Sequence, residues 1–254
     1  MRIHWLSAGF LTLAAAFFCA GPTPCAWADA FPQTASSIAL ESMPPEMRGD
    51  LYMARGQYVQ AVDAYRQVFP MTAVVWNKLG IAWHHLSAVD EAKRDYERAL
   101  LIRPNYPEAI NNLGAAYFEQ KNYKKAIKLY RHALKLMPHS AVIAANLGTA
   151  YFARGKYKPG IVAYRTAFEL DPDVFSDAVA AVRGATSLAD RAQQDYCLAE
   201  LFAQAGMKQS AITYLRRAFD EGFHDRNRLM QDAVFTQLRK TADFAQLMAE
   251  QKLH

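Results

Sequence analysis

Cysteine is almost missing from this chain: three residues in 254, two of which, Cys19 and Cys25, fall within the first 28 positions. If that segment is removed, Cys197 stands alone, so no intramolecular disulfide can form and packing must hold the fold. Glycine and proline are sparse at 12 and 11, which argues against a turn-dense all-β design and for helix. One-signed charge is also lacking, because a net charge of +5 spread along the chain does not make a nucleic-acid footprint, which needs clustered cations and stacking groups. No GxSxG elbow, phosphate loop or HExxH pair occurs anywhere. With 52% hydrophobic residues the chain can bury a core, so wholesale disorder is excluded.

The one long apolar run lies at the start. Met1 and Arg2 precede an apolar stretch from Leu6 to Ala20, followed by Ala26-Trp27-Ala28, a small-x-small pattern that a signal peptidase cuts. Residues 1–28 are therefore expected to be an export signal, with a mature chain starting at Asp29 that is periplasmic or secreted. Gly9 and Gly21-Pro22 suit a signal better than a membrane span of about 20 residues, and the alternative is an uncleaved inner-membrane anchor. Neither Cys19 nor Cys25 has a small-residue lipobox in front of it. Residues 29–43, with Pro32 and Ser36-Ser37, read as a flexible leader.

From residue 73 to 174 the sequence matches itself at a spacing of 34. Leu79-Gly80, Leu113-Gly114 and Leu147-Gly148 recur at that step, as do Trp83, Tyr117 and Tyr151. Ala92, Ala126 and Gly160 share a small position, Tyr96, Tyr130 and Tyr164 an aromatic one, Ala99, Ala133 and Ala167 another small one, and Pro104, Pro138 and Pro172 close each unit. Apolar residues at three and four spacing, broken near Ser87, Lys121 and Gly155, predict two antiparallel helices per unit. Small residues let the helices approach, aromatics fill the space beside them, and proline ends the second helix.

Asn112-Leu113-Gly114-Ala115-Ala116-Tyr117, with Tyr123, Ala126, Tyr130, Ala133 and Pro138, closely resembles the tetratricopeptide repeat. The resemblance extends over about residues 45–250. A shorter first unit carries Gly49, Tyr52, Gly56, Tyr58, Ala61, Tyr65 and Val68. After an interruption at 175–187, where Ser187 and Asp190 resemble a capping box, a fifth, degenerate unit carries Leu198, Phe202, Gly206, Ala211, Leu215 and Ala218. A closing segment follows from Leu229 to Leu247. The expected fold is all-α: a right-handed α-solenoid with units at about 44–72, 73–106, 107–140 and 141–174, then the fifth unit and a helical cap over 175–254.

The resemblance implies a concave groove lined by first helices, whose partner-facing places are Asn77, Ile81 and His84, with Val74 and His85, in the second unit. In the third they are Glu108, Asn111, Phe118 and Glu119, with Ala115, and in the fourth Thr149 and Phe152, with Val142, Ala145 and Ala153. Apolar places there would suit a helix or extended peptide, with Asn77 and Asn111 bonding its backbone, unless Phe118 and Phe152 pack between units instead. The family's carboxylate clamp is missing, because its basic places fall on Glu46, Asp50, Glu108 and Val142. Lys124, Lys128, Arg131 and Lys135 put four cations on one helix face, which is either simply solvated or meets an acidic partner or anionic membrane.

The seven histidines do not converge: His84 and His85 are adjacent on a helix and point about 100° apart, wrong for one metal. Cys197 has no histidine at a neighbouring helical step and reads as a buried small hydrophobe. No cofactor, metal or catalytic residue is therefore expected. The sequence points to a protein–protein interaction scaffold in the cell envelope, its groove holding a protein or peptide, with no nucleic acid and only peripheral membrane association. The rival readings are a membrane-tethered assembly factor and, on His84, His85 and Cys197 alone, a metal-binding or catalytic repeat protein. Partner identity and oligomeric state are open.

Overall fold

The computed structural model describes Leu40, residues 42–175 and residues 187–251. The export signal, its cleavage site, nearly all of the leader and most of the interruption at 175–187 lie outside the described residues. Residues 43–254 form one compact unit. Its first helices pair as α1 (Pro45–Ala54) with α2 (Tyr58–Arg66), α3 (Ala73–His85) with α4 (Val89–Ile102), and α5 (Pro107–Glu119) with α6 (Tyr123–Leu136). Then α7 (Ala141–Phe152) pairs with α8 (Tyr157–Leu170), and α9 (Leu188–Gln204) with α10 (Lys208–Asp220). Last come α11 (Arg226–Gln231), two short 3-10 turns and α12 (Ala242–Glu250). The chain is an all-α repeat solenoid, and among the described residues there is no strand.

Each unit's boundaries follow from local backbone chemistry. The turn between its two helices passes through a left-handed residue, at Gly56, Ser87, Lys121, Gly155 and Gly206, with φ between 58° and 75°. Ser87 and Lys121 hold that conformation with a Cβ, at roughly 1 kcal/mol each, so the surrounding helix pair must enforce it. The second helices stop because Arg103, Met137 and Asp171 leave the helical region ahead of Pro104, Pro138 and Pro172. Thr72, Ser140 and Ser187 start the next first helices, each accepting a backbone N–H three residues on.

Within a unit the two helices are held together by a glycine facing a tyrosine ring. A Cβ on Gly49, Gly80, Gly114 or Gly148 would come within 2.2–2.7 Å of the ring of Tyr65, Tyr96, Tyr130 or Tyr164, respectively. The glycine lies seven residues before the left-handed turn residue and the tyrosine nine after it. In the fifth unit the same two places hold Ala199 and Leu215, both fully buried. The gained methyl and the lost ring offset each other in volume, so one interlock is built from two size pairings.

Between units a second set of paired places runs up the stack. Lys78 Nζ donates to Glu46 at 2.8 Å, Asn112 Nδ2 to Asn77 Oδ1 at 3.0 Å, and Asn146 Nδ2 to Asn111 Oδ1 at 3.1 Å. The next members, Ala145 and Cys197, are both apolar and buried. An ion pair, two amide pairs and an apolar pair thus follow in order. Moving a unit to another place would leave a buried amide such as Asn77 or Asn146 without its partner, which costs about 1–3 kcal/mol.

The fifth unit joins the fourth differently. Val174 and Phe175, at the end of a 3-10 turn, wedge beside Tyr164, with Phe175 4.9 Å from its ring, while Tyr214 donates to the Phe175 carbonyl. The terminal segment then covers α9 and α10: Leu229, Phe235, Leu238, Phe244 and Leu247 are buried in one apolar cluster with Tyr196 and Leu215. Arg239 ties that segment to itself by donating to the carbonyls of Leu229 and Asp232.

Candidate functional site

First helices of successive units touch one another, whereas second helices are splayed further apart, so the stack curves toward the first helices. On this inner side a cavity of about 350 Å³ opens between α3 and α5. Ile81, His84 and His85 line it from α3, Asn112, Ala115, Phe118 and Glu119 from α5, and Tyr96 from α4 behind them. The floor is mostly apolar and the rim carries one polar set. His84 Nε2 lies 2.7 Å from the Glu119 carboxylate and its Nδ1 3.3 Å from the Tyr96 hydroxyl.

Burial holds the Tyr96 hydroxyl far above the ordinary phenol range, so it remains an O–H that donates to His84 Nδ1. With Nδ1 taken by that hydroxyl, Nε2 faces the Glu119 carboxylate, and the two contacts fix the orientation of the ring. Beside it His85 stacks flat on Tyr58 from α2, ring centroids 4.4 Å apart, and burial followed by the neighbouring His84 lowers its pKa. The two imidazoles face different partners and converge on nothing. What the arrangement offers is a shaped apolar trough with an oriented donor–acceptor rim, suited to a side chain and backbone of a bound segment.

Of the expected groove residues, Ile81, His84, His85, Ala115 and Glu119 meet at this cavity, and Phe118 forms part of its floor. Five places need correction. Ala145, Phe152 and Thr149 are 0% exposed and Asn77 5%, so none presents a surface to a partner, and Phe118, also 0% exposed, backs the cavity floor from the core instead of standing out into the groove. Phe118 and Phe152 pack on Tyr123 and on Tyr157 and Tyr164. Thr149 bonds the Ala145 carbonyl and the Tyr164 hydroxyl, and Asn77 accepts from Asn112. Phe118, Phe152 and Thr149 are core because they pack against the second helix of their own unit, and Asn77 because the next first helix bonds it. Asn111 is half-buried in the same amide ladder, and Glu108 is exposed away from the cavity. His84 occupies the place held by Phe118 and Phe152 in the following units, so the groove forms where a phenyl is replaced by an imidazole.

Cys197 is buried, and desolvation pushes its thiol up to about 12, which leaves it an inert packing group. Among the described residues no three histidine, cysteine or carboxylate side chains are grouped to hold a metal, and no helix is long and apolar enough to cross a membrane. The basic stripe of α6 is exposed on the opposite side of the third unit.

A polar cluster under the terminal segment escaped the sequence reading. Glu200 on α9 accepts from Arg228 at 3.1 Å, Arg228 lies 4.2 Å over the Tyr196 ring, and the Tyr196 hydroxyl donates to Asp232. Burial, then a hydrogen bond with Asp232, pushes the Glu200 carboxyl up to about 7 against the pull of Arg228. Its members are 32 residues apart from Glu200 to Asp232, and no spacing rule joins them.

Comparison with known proteins agrees with this architecture. Models described as tetratricopeptide repeat match residues 107–140 and 141–174, and one described as TPR repeat matches 84–121. No curated protein matches. Among solved structures, PilF of Pseudomonas aeruginosa is similar with a TM-score of 0.54 at 18% identity, covering 85% of this chain and 90% of that one. A thermophilic TPR protein of Thermus thermophilus has a TM-score of 0.49 at 17% identity, covering 74% and 94%. MamA also stands at 0.49, with 20% identity over 68% of this chain and 93% of its own. At 18% identity the likeness to PilF carries the fold alone.

Proposed function

For a chain that residues 84–174 make a tetratricopeptide repeat protein, we propose an exported scaffold that holds a protein segment in the trough between α3 and α5. Repeats of this kind serve protein–protein interaction, and the trough is the observation that supports a specific site: about 350 Å³, floored by Ile81, Ala115 and Phe118 and rimmed by the fixed His84–Glu119 pair. An extended or helical peptide would place one apolar side chain in it and bond the rim. Nothing in the trough is a poised nucleophile or metal cage, so binding without chemistry is the economical reading.

Export rests on the signal-like start of the sequence, with release into the periplasm or beyond after Ala28 as the reading and a retained membrane anchor as its rival. The mass of the native N-terminus separates the two, because a chain that keeps residues 3–20 refutes release. For the groove, Ala115→Arg fills the trough from a half-buried position without opening the core. Partners captured from envelope extract by the wild type should be lost to this variant while its helical signal stays. Equal capture by both proteins refutes the site.

A further inference from the structure

A second cleft lies away from the trough, on α6 and the turn between α7 and α8. It encloses about 530 Å³ and is lined by Lys124, Lys128, Arg131, His132, Lys135 and Arg154, with Ile127 and Leu129 between them. All six cation-bearing or imidazole side chains are exposed, and no carboxylate of the described residues pairs with Lys124, Lys128, Arg131, Lys135 or Arg154. Several cations elsewhere are matched: Lys78 meets Glu46 and Asp50, Arg94 meets Glu91, and Arg191 meets Glu221. From Lys124 to Lys135 the row spans about 16 Å along the helix axis. The matching row on α4 is Asp90, Arg94, Glu97 and Leu101, and on α8 it is Lys158, Val162, Arg165 and Glu169. The cationic row is therefore peculiar to the third unit and does not come with the repeat.

Arg131 also lines an adjoining cavity of about 350 Å³ whose walls are apolar: Leu134, Leu147, Tyr151 and Val162 among them. No aspartate or glutamate lines either space. Val162 at its mouth is 66% exposed, a large apolar side chain that nothing covers. A plain solvated stripe needs no such neighbour. A cationic trough that runs through one shared arginine into an apolar hole is complementary to a chain bearing carboxylates on one side of an apolar side chain.

We propose that this outer face of the third and fourth units docks an acidic protein segment, its carboxylates along Lys124, Lys128, Arg131 and Lys135 and one apolar residue in the cavity beside Arg131. The site is separate from the α3–α5 trough and does not depend on it. A membrane or polyanion would use the charge alone, whereas the segment uses charge and cavity together.

The full chain is titrated with a fluorescent Glu-rich peptide carrying one central Leu, with the same peptide carrying Ser there, and with vesicles of anionic lipid. The Leu peptide should bind with strong salt dependence, and Lys128→Glu with Arg131→Glu should weaken it about tenfold or more. Val162→Asp and the Ser peptide should each weaken it severalfold, while Ala115→Arg in the inner trough leaves it unchanged. All substituted outer side chains are exposed, so the helical signal should persist. Equal binding of the two peptides, or vesicle binding that is insensitive to Val162→Asp, overturns the proposal in favour of unspecific attraction. So does indifference to the double charge reversal.

Discussion

Replacing Gly114 by alanine tests the interlock that joins the two helices of each unit. In an exposed helix this change gains about 1 kcal/mol of helix propensity. Here the new Cβ would sit 2.7 Å from a ring atom of Tyr130, closer than atoms can pack, and the ring is fully buried with nowhere to go. Overpacking of that kind costs roughly 1–3 kcal/mol, so after the propensity gain a net loss of about 1 kcal/mol is expected. Tyr130→Leu alone leaves a cavity worth roughly 2–3 kcal/mol, less whatever is regained by removing a buried hydroxyl that has no hydrogen-bond partner among the described residues. If the changes were independent, the double variant would lose the sum of both. The Ala199–Leu215 pair in the fifth unit says otherwise, because there the two sizes fit. The double variant should therefore lose no more than Tyr130→Leu, a coupling at least as large as the whole Gly114→Ala loss, on the order of 1 kcal/mol. Urea unfolding of the four proteins of the cycle, followed by helical dichroism, measures it. Losses that add, within about 0.5 kcal/mol, would refute the volume exchange as the basis of unit packing.

Phe118→Ala, at a place the sequence suggested as a partner contact, should cost about 3–5 kcal/mol through the cavity it leaves, seen as a lower urea midpoint. A stable variant that only loses partner binding would contradict its burial. Glu200 predicts a pH dependence. Its carboxyl is raised from 4.5 to about 7, so the fold favours the protonated form. The stabilisation is complete below the unfolded value and lost as pH rises through 7, on the order of 2 kcal/mol after screening of its partly solvated side. Comparing urea midpoints at about pH 5 and about pH 8, Glu200→Gln should flatten the wild-type decline. An unchanged slope assigns the dependence to other groups.

The sequence by itself determined the repeat. Its 34-residue step, its glycine–tyrosine places and its closing prolines are local or recur at fixed offsets, so helix pairs, turn residues and unit order could be read without coordinates. The Ser187 cap and the buried Cys197 were legible for the same reason. Only the tertiary structure decided which faces of the first helices stay open. Phe118 and Phe152 look like groove residues on a helical wheel, yet each packs against the second helix of its own unit, and that packing depends on how the two helices cross rather than on the spacing along either. The trough at His84 and Glu119 exists because residues 35 apart close over a missing phenyl. The Glu200 cluster and the joining of Arg154 to the α6 cations likewise arise from stacking, which brings together side chains that no periodicity relates.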